Sequence, residues 1–164
     1  MARLTALVLS ALLGLLAALS FPGSAEAASK RIVVSIAEQR LYAYDGGQLV
    51  ISAPVTTGRP EMPTPRGTFA VRRKSSPHLF TSPFPVGHPF YYAPVSSTYA
   101  LQFLPLYYLH DAPWRASFGP GTNTWHVDDW GRRRTGSLGC VNVPTGPMAR
   151  LFHWASIGTP VIIQ

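Results

Sequence analysis

The sequence predicts a mostly β fold, a β-sandwich or half-open barrel with long loops and one short helix near the C-terminus. Three observations support this prediction. Short apolar runs rich in β-branched residues recur along the chain, Pro (16) and Gly (14) are frequent enough to end each run, and only one stretch has helical periodicity. A length of 164 residues fits one domain, and 46% hydrophobic residues argue against disorder.

Strands are predicted where apolar or β-branched residues lie between turn signals. Gly46-Gly47 forms the turn of a hairpin, and Pro54 places its strand at a sheet edge or a bulge. The segment 58–67 is predicted to be an irregular loop, and prolines recur too often between 75 and 94 for a helix. The predicted strands are 31–36, 39–45, 48–57, 68–72, 99–104, 106–110 and 160–163.

The helix is predicted after Thr145, which is a favourable N-cap residue, with Pro147 in the first turn. Gly158 is predicted to stop it. Apolar residues recur there at the spacing of a single helix face: Met148, Leu151, Phe152 and Ala155.

The N-terminus predicts export from the cytoplasm. Arg3 is followed by an apolar run at 4–21 and by Ala25-Glu26-Ala27, the pattern of a secretory signal peptide. We therefore expect a signal peptide at 1–27 and a single domain at 28–164, with an uncleaved membrane anchor as the alternative. The net charge of +7 comes without zinc-finger spacing, an RNA-binding signature or a basic helix, so nucleic acid is not an expected partner. Anionic envelope polymers fit this charge better.

Cys140 is the one cysteine, which excludes an internal disulfide and a multi-cysteine metal site. In an exported protein it is either a reactive thiol or a buried, inert side chain. The run 132–134 (RRR) and the positive end of the predicted helix are expected to lower its pKa. His110 ends an apolar strand, and a thiol beside an imidazole is a minimal nucleophile–base pair. The pair Asp128-Asp129 near His126 is a weak metal candidate, because no third ligand follows.

Two segments together resemble the signature of the bacterial L,D-transpeptidases with a YkuD-type catalytic domain. They are HDAPW at 110–114 and SLGCVN at 137–142. Upstream, VTTG at 55–58 and TPRGTF at 64–69 resemble the strand–loop–strand region of that family. The resemblance runs from about Ile32 to the C-terminus.

The resemblance implies a β-sandwich of that family and a monomeric, carbapenem-sensitive cysteine acyltransferase that needs no metal or organic cofactor. It implies that Cys140 attacks a peptidoglycan stem peptide to form a thioester, which an amine of a neighbouring stem then resolves. His110 is expected to be the general base, oriented by the main-chain carbonyl of Asp111. The amides of Leu138, Gly139 and Cys140 are expected to stabilise the oxyanion. The side chains expected around the substrate are Ser137, Asn142, Trp114, Tyr92 and His126.

Two features depart from the family pattern. Leu138 stands where the family usually has a histidine that is not the general base, and His126 is a candidate to fill the vacated space. The segment between His110 and Cys140 is also longer than in compact members. Its residues 119–133 are expected to form a lid or an extra wall of the substrate cleft.

Two alternatives remain at this point. One is a wall-binding module that has the same fold but no catalysis. The other is a sortase-like transpeptidase, whose signature has Thr before the cysteine and a later arginine on a strand. Here Gly139 precedes Cys140, and Arg150 lies on the predicted helix.

Overall fold

The structure, a computed structural model, describes residues 30–164. The predicted signal peptide at 1–27 lies outside the described residues. The elements are, in chain order, β1 (Arg31–Ser35), β2 (Arg40–Asp45), β3 (Gln48–Pro54), β4 (Gly67–Ala70), β5 (Arg73–Ser75), β6 (His78–Phe80), β7 (Val95–Ser97), β8 (Ala100–Leu104), β9 (Tyr107–Asp111), β10 (His126–Val127), β11 (Arg133–Arg134), β12 (Val141–Val143), α1 (Thr145–Trp154) and β13 (Pro160–Ile163).

Two main sheets build the molecule. The first has the strand order β3-β2-β1-β13-β4 and the second has the order β12-β9-β8-β5. Two small ladders, β6-β7 and β10-β11, lie outside them. The prediction of a mostly β fold with one short C-terminal helix is confirmed, and neither sheet closes into a barrel within residues 30–164. No helix in that range is long and apolar enough to cross a membrane. Pro54 ends the edge strand β3, as its lack of an N–H donor predicts.

The core lies between the two sheets. Ile32 and Leu41 of the first sheet and Leu101 and Phe103 of the second are fully buried in one apolar cluster. Burial of a side chain of this size stabilises the fold by about 1.5–3 kcal/mol. The helix α1 adds two buried residues of its predicted apolar face, Met148 and Leu151, and its Phe152 packs half-buried against the core. Ala155, the last residue of that predicted face, is buried as the C-cap.

The ends of α1 differ from the prediction. Pro144 is the N-cap, Thr145 is already helical, and no side chain caps the first turn. The helix ends at Trp154 with Ala155 as its C-cap, before Gly158. Lys74 explains this end, because its Nζ donates to the carbonyls of Phe152 (2.5 Å) and Ala155 (2.6 Å).

The segment 55–58 crosses from the first sheet to the second. The predicted strand 48–57 therefore ends early, and its last residues pair elsewhere. Thr56 exchanges two backbone hydrogen bonds with Asn142, at 2.9 and 2.8 Å, and Gly58 forms a bridge to Ser137. This segment fixes the residues around Cys140 against the first sheet.

Gln39 anchors the segment 55–58. Its side chain is 1% exposed, and its backbone carbonyl accepts a hydrogen bond from the Val55 amide at 2.8 Å. Its Oε1 accepts from the Thr57 amide (2.8 Å), and its Nε2 donates to Thr57 Oγ1 (2.7 Å). A single buried amide thus satisfies the polar groups of Thr57, which would otherwise be buried without partners.

We expect Gln39→Leu to lower the free energy of unfolding by about 2 kcal/mol, because it leaves the buried Thr57 amide without an acceptor. Urea unfolding measures the change. Gln48→Leu is the matched control, since Gln48 is exposed on the edge strand β3, and its effect should stay within about 0.5 kcal/mol. Equal losses in the two variants would contradict this role of Gln39.

Candidate active site

The parallel pairing of β9 with β12 brings His110 and Cys140 together. Asn142 pairs with His110 in the register, and Val141 pairs with Leu109. Leu109 and Val141 are fully buried in the core. Because side chains alternate along a strand, His110, Asn142 and the preceding Cys140 must face the other way. All three line one cleft.

The cleft has a volume of about 550 Å³. Most of the side chains predicted from the sequence line it: Cys140, His110, Ser137, Leu138, Asn142, Trp114 and Tyr92. His126 does not, because it faces a separate depression with Pro120 and Asp129. His126 therefore does not fill the space beside Leu138.

His110 is buried and neutral. Its ring lies between Phe80 (centroid distance 4.5 Å) and Trp114 (5.7 Å), and only 4% of the residue is exposed. Desolvation lowers its pKa to about 4, although the hydrogen bond with the Asp111 carbonyl acts in the opposite direction. That contact between His110 Nδ1 and Asp111 O is 2.8 Å long and is the one expected from the sequence.

A chain of hydrogen bonds sets the tautomer of His110. Arg115 Nε donates to Asn142 Oδ1 at 2.8 Å, and an arginine can only donate. The Asn142 amide must therefore turn its Nδ2 toward His110 Nε2, at 2.9 Å. Nε2 accepts this bond, so Nδ1 carries the hydrogen and donates to Asp111. The lone pair of the neutral imidazole is thus on Nε2, where it accepts from Asn142.

Cys140 is half-buried at the start of β12. Its Sγ donates to the Leu106 carbonyl at 3.6 Å. Burial raises the pKa of the thiol to about 12, and the hydrogen bond from the Tyr108 amide opposes this only in part. The Cys140 and His110 side chains share the cleft without a direct hydrogen bond between them. The resting pair is thus a neutral thiol and a neutral imidazole.

The expectation that the arginine run and the helix lower the pKa of Cys140 is wrong. Arg132 and Arg133 are exposed and lie over the rings of Trp130 and Trp125, at 4.9 and 5.9 Å. Arg134 lines the cleft but is paired with Asp128. The helix begins only at residue 145. Burial of the sulfur therefore dominates its pKa.

The loop before Cys140 requires glycine at position 139. Gly139 has a φ of +107°, and a Cβ there would lie 2.5 Å from Cε1 of Tyr107. The Gly139 amide donates to Ser137 Oγ (3.0 Å), which in turn donates to the Cys140 carbonyl (2.5 Å). Of the amides expected to bind an oxyanion, that of Gly139 is therefore already engaged.

Thr64 holds this loop against the loop at 58–67, a role that the sequence analysis did not assign. Its buried Oγ1 accepts from the Gly58 amide at 2.9 Å and donates to the Gly139 carbonyl at 2.8 Å. The motif TPRGTF at 64–69 was the available signal, since it starts with this residue.

The segment 119–133 does contribute a wall of the cleft. It includes β10, which pairs with β11 in a short ladder, and its Trp125 and Arg133 line the cleft together with the adjacent Arg134. Asp128 organises the turn by accepting from two turn amides and from Arg134 Nε (3.2 Å). The Asp128 carboxylate, part of the weak metal candidate, is thus occupied by hydrogen bonds within the hairpin. No group of three metal-ligating side chains occurs in residues 30–164.

Several further cleft residues are absent from the predicted site, among them Phe80, Arg115 and Arg59. Phe80 covers the ring of His110, and Arg115 orients Asn142. No sequence signal marks Phe80 or Arg59, because Phe80 lies on the short strand β6 and Arg59 in a loop, and only the tertiary fold brings them to the cleft. Arg115 directly follows the HDAPW motif, and this position was the one available signal.

Burial of His110 predicts a pH-dependent stability. Its pKa falls from the ordinary 6.5 to about 4, so the unfolded chain binds a proton between these values that the folded chain does not. The free energy of unfolding should therefore decrease by about 3 kcal/mol as the pH falls from 6.5 to 4.

Urea unfolding across this pH range measures the effect. His110→Gln should remove this part of the pH dependence, whereas His153→Gln, at an exposed position of α1, should keep it. The same slope in wild type and His110→Gln would contradict the assignment.

Comparisons with known proteins agree with this geometry. The family model of the YkuD-type L,D-transpeptidase catalytic domain matches residues 29–163. No curated protein sequence matches. An L,D-transpeptidase structure from Mycobacterium smegmatis is 26% identical and superposes with a TM-score of 0.70, over 83% of this chain and 58% of that one.

Two Enterococcus faecium structures are also similar. A mutant L,D-transpeptidase is 26% identical with a TM-score of 0.68, over 83% of this chain and 50% of that one. The catalytic domain alone is 27% identical with a TM-score of 0.64, over 82% of this chain and 96% of that one. The chain thus spans 50–58% of the two longer structures and nearly all of the isolated domain. With its match over residues 29–163, the chain belongs to the family of the YkuD-type L,D-transpeptidase catalytic domains.

Proposed function

We propose that this protein is a cysteine L,D-transpeptidase that acts on peptidoglycan stem peptides through a thioester on Cys140. It forms cross-links or exchanges terminal residues. The observation that carries the proposal is the pairing of β9 with β12, which turns Cys140, His110 and Asn142 into one cleft. Membership of the family supports the substrate class.

In the acylation step, the lone pair of His110 Nε2 takes the proton of Cys140 while the sulfur attacks the carbonyl carbon. The C–N bond then breaks, the departing amine takes the proton from Nε2, and a thioester remains. At rest, the lone pair of Nε2 accepts a hydrogen bond from the Asn142 amide. This hydrogen bond must break before Nε2 can accept the proton of the thiol. In the second step an acceptor amine attacks the thioester and transfers a proton to His110. The C–S bond then breaks, and the sulfur takes this proton from His110, which restores the neutral pair.

Backbone amides next to Cys140 stabilise the oxyanion in this proposal. The amides of Leu138 and Cys140 take this role. The amide of Gly139 can join them only by leaving Ser137 Oγ, to which it donates at 3.0 Å. The left-handed backbone at Gly139 supports the tight turn that these amides need.

We further propose that the protein acts outside the cytoplasm, as a monomer, after removal of residues 1–27. The remaining residues 28–164 form one catalytic domain. The N-terminal pattern of a positive residue, an apolar run and Ala-x-Ala supports this proposal.

The nucleophile is tested by intact-mass measurement after incubation with a carbapenem. We expect a single covalent adduct on the wild type and none on Cys140→Ala, because the thiol is the attacking group. An adduct that persists in Cys140→Ala would refute the assignment of Cys140 as the nucleophile. A wild type that forms no adduct would favour the non-catalytic wall-binding module.

The neutral resting pair is tested by alkylation of Cys140 with iodoacetamide across a pH series. Since burial raises the thiol pKa to about 12, the rate should be slow at neutral pH and should still increase above pH 9, on the order of tenfold per unit. The control is the urea-unfolded protein, in which the rate should level off above the ordinary thiol pKa of about 8.5. A rate for the folded protein that reaches its plateau below pH 7 would instead show a thiolate–imidazolium pair.

A further inference from the structure

We propose that Arg59, Arg115 and Arg134 form a carboxylate-binding subsite in the cleft beside Cys140, which recognises a carboxylate of the acyl-donor peptide. The proposal rests on the function proposed above, because that function supplies a peptide as the ligand. It adds the group by which the peptide is held.

The three guanidinium groups come from separate parts of the chain and are fixed by backbone carbonyls. Arg59 Nη2 donates to Gly136 O (3.2 Å), Arg115 Nη2 to Thr135 O (2.6 Å) and Arg134 Nη2 to Trp114 O (3.2 Å). All three arginines line the cleft that contains Cys140. Their positions are thus set before any ligand binds.

These arginines have many N–H donors that the protein does not use. Each guanidinium has five, of which Arg59 uses one, Arg115 two and Arg134 two. Nε of Arg59 is buried and has no hydrogen-bond partner. A buried donor without an acceptor is unfavourable, and the further N–H groups of these cleft-lining arginines also lack partners that an anionic oxygen could supply.

The cleft holds too little negative charge to neutralise these groups. No Asp or Glu is among its lining residues. Asp128 pairs with Arg134 at 3.2 Å, the one ion pair between side chains in residues 30–164. Glu61 is exposed and close enough to act on Arg59 electrostatically, but it forms no ion pair with it. Arg59 and Arg115 therefore remain without a paired carboxylate.

The charges also repel one another. Desolvation is the main reason why the pKa of Arg115 falls to about 10, and the positive charges of Arg134 and Arg59 lower it further. An anion bound between them would reduce this repulsion. Carboxylate is the group that matches, because its two oxygens fit the planar fork of a guanidinium.

A donor peptide offers this group in two places. One is the terminal carboxylate of the residue beyond the attacked carbonyl, and the other is a side-chain carboxylate within the stem. Both would be held by the same charge-assisted hydrogen bonds. The experiment below distinguishes them.

The test measures binding without chemistry, on the Cys140→Ala protein, by titration calorimetry with synthetic stem tetrapeptides. Three peptides are compared: the free acid, its C-terminal amide, and the form in which only the side-chain carboxylates are amidated. We expect one of the two amides to bind at least tenfold more weakly than the free acid. That amide identifies which carboxylate is bound. This comparison needs no substitution in the subsite.

The second arm replaces Arg59 by Gln in the same protein. We expect at least a tenfold loss for the free acid and little change for the weak amide, since their difference depends on this charge. Arg150→Gln is the matched control, because Arg150 is exposed on α1 and should leave both affinities unchanged. Equal binding of all three peptides, or an Arg59→Gln variant that keeps full preference for the acid, would overturn the proposal.

Failure of this subsite and failure of the proposed function give different results. A wild type that forms the carbapenem adduct, while its Cys140→Ala form shows no carboxylate preference, would refute only the subsite. A protein that forms no adduct but loses its preference for the acid on Arg59→Gln would support the subsite and refute the catalytic proposal.

Discussion

The arrangement of the cleft depends on one constraint, the parallel pairing of β9 with β12. Leu109 and Val141 are drawn into the core by burial of their apolar surface. The alternation of side chains then turns His110 and Cys140 to the opposite face, although 30 residues separate them in the chain. The same forces that stabilise the second sheet therefore assemble the chemical groups.

Arg115 determines the tautomer of His110 through hydrogen bonds, although it does not contact the imidazole itself. Arg115 can only donate, so it fixes the Asn142 amide, which fixes the lone pair on His110 Nε2. Burial meanwhile keeps both the imidazole and the thiol neutral. The free protein therefore contains a neutral thiol and no thiolate. The proton of Cys140 is transferred only when substrate is bound.

The sequence predicted the parts that depend on local patterns. Strand alternation and the apolar face of α1 were sufficient for the fold class, and the HDAPW and SLGCVN motifs predicted the side chains now found in the cleft. The rest depends on tertiary contacts. The strand β12 has three residues between Cys140 and Pro144, too few for a periodicity to be recognised. The pKa of Cys140 depends on its burial and on where the arginine side chains point, and neither can be predicted from the amino-acid composition.

The hairpin at 119–133 forms one wall of the cleft, and its Asp128 also fixes the position of Arg134. Asp128 accepts two backbone hydrogen bonds and pairs with Arg134, so one carboxylate both folds the turn and neutralises one of the three arginines. An acidic side chain in the cleft would pair with Arg59 or Arg115, and a bound carboxylate would then gain less from that arginine. Two arginines without a paired carboxylate, Arg59 and Arg115, thus lie in the cleft with Cys140, where a donor peptide with a free carboxylate can be held before its carbonyl is attacked.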